Sequence, residues 1–428
     1  MTPPGYKHTE VGVIPVDWEV KTLTLVADIR GGIAKNSNAA TSDPISVHYL
    51  RVANVQDGFL DLAEMSKIQL SRVDLPRYKV VPGDVLMNEG GDLDKLGRGA
   101  IWRGEFDPCV HQNHVFVVRC KANLLPEYLN IWTATSSVRR FFLTAGKQTT
   151  NLASISKSSL GELPVALPPL PEQRAIATAL SDVDALLAAL DRLIAKQRDL
   201  KQAAMQQLLT GQTRLPGFKG KWETKRLGDL FNFSGGYSAS RDQLSTEGHC
   251  YLHYGDIHGS SKTCIDTEAD FQDIPKLDIP LKRVSPASLL ADGDVVFVDA
   301  SEDDAGTSKH VVVVNKSKKP FISGLHTIVA KSKTDELAHE YRHYCFQTPA
   351  IRQQFLFYSV GTKVSGISKS NIPKLTLTFP PLPEQTAIAT VLCDMDLELA
   401  ALEQRRDKTR ALKQGMMQEL LTGRTRLL

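Results

Sequence analysis

The sequence predicts an α+β chain in which two mixed α/β domains are separated by two long antiparallel helices that form an intramolecular, pseudo-twofold coiled coil. Three observations predict this. One segment recurs almost unchanged at a fixed offset, each copy has the apolar spacing of a long helix, and the stretch before each copy is rich in short strand-like runs.

The repeat comes first, because a missed repeat misassigns a whole fold. Leu167-Pro-Pro-Leu-Pro-Glu-Gln173 returns as Phe379-Pro-Pro-Leu-Pro-Glu-Gln385, and Leu208-Leu-Thr-Gly-Gln-Thr-Arg-Leu215 returns as Leu420-Leu-Thr-Gly-Arg-Thr-Arg-Leu427, both 212 residues on. Over 167–215 and 379–427 there are 31 identities in 49 ungapped positions. The preceding segments are related loosely, through Trp18 and Trp222, Gly31-Gly32 and Gly235-Gly236, and Gly83-Asp84 and Gly293-Asp294. Four segments result: a variable unit over 1–165, a constant unit over 166–215, a variable unit over 216–378 and a constant unit over 379–428.

The variable units are expected to be curved sheets with one or two helices. Tyr49–Val55, Asp84–Met87, His114–Val118, Asp294–Val298, His310–Val314 and His326–Val329 read as strands, with helices near Glu127–Leu143 and Leu337–Phe357.

The constant units are helical. Ile176, Leu180, Val183, Leu187, Leu190 and Ile194 follow a 4-3-4-3-4 spacing, repeated by Ile388, Leu392, Met395, Leu399 and Leu402, with Arg406 in the last place. The seam then shifts register through Leu200 and Leu208, or Leu412 and Leu420, before Gly211 or Gly423 stops the helix. So long and narrow a stripe needs another helix, and the second copy supplies it.

Composition narrows the class without naming a partner. With 428 residues, 42% hydrophobic and 23% charged, and a mean hydropathy of −0.19, the chain reads as a soluble globular protein of two or three domains. No apolar run is long enough for a membrane span and no secretory leader is visible, so a cytoplasmic location is expected. The six cysteines contain no C-x-x-C pair, and the net charge of +3 is too small to announce a nucleic-acid binder.

The doubled Pro-Pro-Leu-Pro-Glu-Gln start and Leu-Leu-Thr-Gly end, together with Tyr49-Leu-Arg-Val-Ala-Asn-Val-Gln-Asp-Gly58 and Pro82-Gly-Asp-Val85, resemble the specificity subunit of type I restriction-modification enzymes. The resemblance covers essentially the whole chain. It implies that each variable unit is a target recognition domain reading one half of a bipartite double-stranded DNA site, and that the helices space the domains and dock two methyltransferase subunits. Restriction and translocase subunits would join through these. The chain itself would be non-catalytic, with S-adenosylmethionine, ATP and Mg²⁺ held by partner subunits and no cofactor of its own.

The residues agree with a non-enzymatic role. No Asp/Asn-Pro-Pro-aromatic loop, no donor-binding glycine turn and no G-x-x-x-x-G-K-[ST] is present. The histidine pairs His111/His114, His249/His253 and His339/His343 lack further ligands nearby, so no metal site is expected. The alternative is a coiled-coil scaffold with two protein- or glycan-binding domains, which a bipartite footprint on DNA would exclude.

Base reading requires amide, hydroxyl and guanidinium groups flanked by phosphate-binding cations. The candidates in the first unit are Arg51, Asn54, Asn88, Lys95, Arg98, Gln112 and Asn113; those in the second are Ser238, Arg241, Tyr254, Lys262, Lys309 and Lys363. The candidates for partner docking are Pro168, Pro169, Glu172 and Gln173, and their counterparts Pro380, Pro381, Glu384 and Gln385.

Overall fold

The structure, a computed structural model, describes residues 2–34, 43–91, 96–97, 99–148, 153–258, 262–301, 309–361 and 365–427. The chain forms two compact units, residues 1–191 with 404–428, and residues 192–403. Among the described residues no helix is long and apolar enough to cross a membrane.

Unit 1 contains β1 (Glu19–Thr22), β2 (Ala27–Arg30), β3 (Pro44–Leu50), β4 (Ser66–Ser71), β5 (Val85–Asn88), β6 (Gly99–Ile101), β7 (Cys109–His111) and β8 (Val115–Cys120). Helices α1 (Pro126–Thr133) and α2 (Ser136–Ala145), strand β9 (Pro164–Leu167) and the start of the long helix α3 (Leu170–Leu209) come next along the chain. The central antiparallel sheet has the order β2-β8-β5-β6, a second sheet runs β7-β3-β4 with β7 parallel to β3, and β9 pairs with β1. The period of two sorts the central strands between two cores. Val85, Met87, Phe116 and Val118 join the core under the helices, whereas Leu86, Val115 and Val117 face a smaller core with Leu50 and Trp102.

Unit 2 repeats the plan with β10 (Glu223–Arg226), β11 (Phe231–Gly235), β12 (His249–Leu252), β13 (Cys264–Asp266), β14 (Lys276–Leu277), β15 (Val295–Val298), β16 (His310–Val314), β17 (Phe321–Ser323) and β18 (Thr327–Ser332). Helix α4 (Pro349–Tyr358), strand β19 (Thr376–Phe379) and the long helix α5 (Leu382–Leu420) complete the chain. The central sheet is β11-β18-β15-β16-β13, the second is β14-β12-β17, and β19 pairs with β10. Val295, Phe297, Ile328 and Ala330 turn to the helix side and Val296, Val298 and Val329 to the other.

Two long helices expected in the variable units are each broken in two. Thr135 caps α2 through its hydroxyl, which accepts from the Val138 amide at 3.4 Å. Thr348 does the same for Ile351 at the start of α4, where Pro349 occupies the first turn.

The long helices run antiparallel within each unit. In unit 1, Ile176 and Leu180 share a core with Leu420 and Leu421, and Lys413 reaches Asp184 at 2.5 Å. In unit 2, Met205 and Leu208 share a core with Ile388 and Leu392, while Lys201 pairs with Asp396 and Arg198 with Glu403. Ile176, Leu180, Leu190, Ile194, Ile388, Leu392 and Leu399 are buried, and Val183, Leu187, Met395 and Leu402 half-buried. Arg406 fills its apolar place as an ion pair, 3.9 Å from Asp191 and 2.9 Å from Asp407. The register shift does not run through Leu200 and Leu412, which are exposed; Met205 takes the inward place in α3 instead.

Gly211 and Gly423 end the helices at φ +70° and +67°, left-handed values that favour glycine. Trp222 and Trp18 close over them: a Cβ on Gly211 would lie 3.3 Å from the Trp222 ring, and one on Gly423 would lie 3.1 Å from that of Trp18.

Candidate nucleic-acid interface

The repeated helix starts and ends meet across copies. Glu172 opens α3 and Arg426 lies just past α5, and within unit 1 they form a two-point pair at 2.6 and 2.8 Å. Glu172 also accepts from the Trp18 indole N–H at 3.0 Å, and Arg426 bonds Asp17 at 3.0 and 2.7 Å. These charge-assisted bonds raise the Arg426 pKa, and the guanidinium lowers that of Asp17. In unit 2 the same joint forms from Glu384 of the second copy and Arg214 of the first, at 2.5 Å, with Arg214 also donating to the Gly220 carbonyl at 2.9 Å.

The neighbouring glutamines tie each helix start to its sheet unit. Gln173 accepts from the Leu125 amide at 2.9 Å and donates to the carbonyls of Asn123 and Pro168. Gln385 accepts from the Ala338 amide at 2.8 Å and donates to those of Glu336 and Pro380.

This corrects the docking assignment. Glu172, Gln173, Glu384 and Gln385 are at most 1% exposed, and Pro168 and Pro380 are also buried, so none of the six can offer a surface to another protein. A buried carboxylate needs a cation and a buried amide needs hydrogen-bond partners, and the chain supplies both internally. Pro169 and Pro381 are exposed, beside exposed Leu170 and Leu382.

In unit 1 the candidate base readers gather at the ends of β3, β5 and β7, but several are spoken for. Asn54 is buried and donates to the carbonyls of Asp61 and Glu64 while accepting from the Arg51 amide. It builds a turn and cannot face a base. Asn88 is also buried, with its amide on the Val55 carbonyl at 2.9 Å and its Oδ1 unpartnered. Arg51 donates to the Glu64 carbonyl, the half-buried Gln112 accepts from the Val52 amide at 3.3 Å, and Asn113 contacts the His114 ring at 3.3 Å. Lys95 and Arg98 lie outside the described residues.

In unit 2, Ser238 is exposed, Arg241 pairs with Asp256 at 2.9 Å, and the Tyr254 ring lies edge-on to His326 with 5.4 Å between centroids. Lys262 is exposed and pairs at 2.5 Å with Asp270, which is largely buried. Lys309 is half-buried with its ammonium on the His258 carbonyl, which makes it a brace rather than a ready phosphate ligand. Lys363 lies outside the described residues.

Sequence reasoning missed a shared scaffold around these groups. A Cβ on Gly32 would lie 2.2 Å from the His111 carbonyl oxygen, and one on Gly236 would lie 1.8 Å from that of Gly324, so both glycines mark a close backbone crossing. Just beyond them the Tyr49 hydroxyl donates to the Ile33 carbonyl at 2.8 Å, and the Tyr251 hydroxyl to that of Tyr237 at 2.9 Å. Asp84 and Asp294 close equivalent turns on Val81 and Ala291 amides at 2.8 Å, and each pairs with a cation on the adjacent strand: Arg119 at 2.7 Å, Lys331 at 2.6 Å. The Gly-Gly and Gly-Asp matches in the sequence were the signals for the first and the last of these.

The comparisons with known proteins agree with one another. The family described as "Type I restriction modification DNA specificity domain" matches residues 15–197 and 219–410. A Methanocaldococcus jannaschii chain, named as a candidate type I restriction enzyme MjaX specificity subunit, is 24% identical over 99% of this chain and 97% of its own length. The type I restriction enzyme EcoKI specificity subunit of Escherichia coli is 23% identical over 44% of this chain and 41% of its own. In fold, the S subunit of a type I restriction-modification system from M. genitalium superposes with a TM-score of 0.55 at 13% identity, covering 94% of this chain and 96% of that one. A chain solved in work on complex assembly and conformational transition of the type I R-M system gives 0.57 at 18% identity, over 96% and 99%. With two matched segments spanning both units, the chain belongs to the type I restriction-modification DNA specificity family, whose members are non-catalytic DNA sequence-specificity subunits.

Proposed function

We propose that this chain reads a split DNA sequence, one half with each sheet unit, and carries two methyltransferase subunits that bring the chemistry. The observation that carries the reading is the duplication itself. One chain holds two units built on the same sheet plan, the second with one more strand in its central sheet, with different surface residues and joined by helices whose ends are almost identical. Divergent surfaces suit two different half-sites, and equal helix ends suit two copies of one partner. The exposed Pro169-Leu170 and Pro381-Leu382 pairs, duplicated at the helix starts, are the docking points we favour.

S-adenosylmethionine belongs on the methyltransferase subunits, and ATP and Mg²⁺ on a restriction subunit with translocase activity, all working in the cytoplasm. The test is methylation mapping of the host genome together with a footprint of the purified complex. Two short specified blocks separated by unspecified base pairs are expected. A single contiguous block, or protection without sequence preference, would overturn the split reading.

A further inference from the structure

One polar feature recurs in both units without serving the core of either. At the end of β5, Glu89 donates its amide to the His114 carbonyl at 2.9 Å, and its carboxylate meets the His114 ring Nδ1 at 2.9 Å. At the end of β15, Asp299 donates its amide to the His326 carbonyl at 3.1 Å, and its carboxylate meets the His326 Nδ1 at 3.2 Å. The next hydrogen bond matches too: the Glu89 carbonyl accepts from Ile155 and that of Asp299 from Ile367. Both imidazoles are half in solvent, at 57% and 50% side-chain exposure.

Stability does not account for this. An exposed pair of this kind contributes about 0–1 kcal/mol. His326 moreover sits at φ +59°, a left-handed backbone unfavourable for a residue with a Cβ. Small residues succeed each acid, Gly90 and Gly91 in one unit and Ala300 in the other. In each carboxylate pair Nδ1–H donates to the acid, which leaves Nε2 as the ring's second polar atom; in His114 it lies 3.3 Å from the Asn113 amide nitrogen.

Two units that read different bases have in common, among DNA groups, the sugar-phosphate backbone. We infer that His114 and His326 are equivalent backbone contacts, each binding as the imidazolium, with Nδ1–H held by Glu89 or Asp299 and Nε2–H donated to a phosphate of its own half-site, which in unit 1 takes the place of the Asn113 amide. This rests on the proposed reading of split DNA and names residues for it.

The test uses the chain assembled with its methyltransferase subunits, and two 40-base-pair duplexes: one selected by the wild-type complex from a random pool, the other of unselected sequence. His114→Gln and His326→Gln should each weaken both duplexes by the same factor, about fivefold, at fixed salt. His114→Arg and His326→Arg should tighten both, a gain that a merely structural histidine would not give. Unchanged affinity in all four variants overturns the inference. So does a loss confined to the selected duplex, which would mean base reading, or a loss of bound methyltransferase with DNA affinity intact, which would mean a partner contact. If the wild-type complex selects no sequence, the split-reader proposal itself fails, which is a separate result.

Discussion

The two helix-end joints share a motif and differ in their surroundings. In unit 1 Arg426 is gripped by two carboxylates, Glu172 and Asp17, and the Trp18 indole donates to Glu172. In unit 2 Arg214 has Glu384 and a backbone carbonyl; Lys221 precedes Trp222 where Asp17 precedes Trp18, and the Trp222 indole N–H is buried without a partner. The constant segments bring one guanidinium and one carboxylate to each joint. The variable segments decide how completely each joint is satisfied.

The largest break should come from placing a charge in the shared core. Leu180→Asp in unit 1 and Leu392→Asp in unit 2, both fully buried, should each cost more than about 4 kcal/mol and abolish the cooperative urea transition of the affected unit. Next comes the comparison itself. Arg426→Ala leaves the buried Glu172 with the Trp18 indole and should cost about 3 kcal/mol, while Arg214→Ala strips the buried Glu384 of its guanidinium with no indole to replace it and should cost more. Equal shifts in urea midpoint would refute the ranking.

Acid should separate the units more gently. His111 is fully buried, its Nδ1–H donating to the Val115 carbonyl at 2.6 Å, and desolvation lowers its pKa to about 4. Both states are neutral above the unfolded pKa of about 6.5, and below it the unfolded chain takes up the proton first. Stability is therefore full above that pH and falls toward pH 4, by on the order of 3 kcal/mol. His343 in unit 2, lowered to about 4 mainly by desolvation, acts in the same direction but is half-buried, so unit 1 should lose more between pH 7 and 4.5. His111→Gln should flatten that slope. The smallest effect belongs to Lys413→Ala, which removes a partly exposed bridge to Asp184 and should shift the midpoint by less than about 1 kcal/mol.

Much of the fold is legible in the sequence because it is written in periods: the seam of α3 and α5, and the alternation that divides Val295 and Phe297 from Val296 and Val298. The joints are not, since Glu172 and Arg426 lie 254 residues apart and identity between copies marks both without saying that they touch. Partner docking and internal joinery leave the same trace in a repeat, and burial separates them. Among candidate base readers, side-chain type pointed to Asn54 and Asn88, whereas their surroundings had already used their amides. His114 and His326 match in the sequence at the common offset of 212, as residues with a structural or DNA-facing role, but their acids stayed hidden because Glu89 and Asp299 are offset by 210.

The joint at Arg426 also sets an order of events during synthesis. Unit 2 is one uninterrupted stretch, residues 192–403, whereas unit 1 takes residues 404–428 from the far side of it. The domain that leaves the ribosome first thus waits longest for its last piece, with the Glu172 carboxylate and the Trp18 face uncovered until Leu420–Arg426 emerges. The later-made domain can close as soon as it is complete.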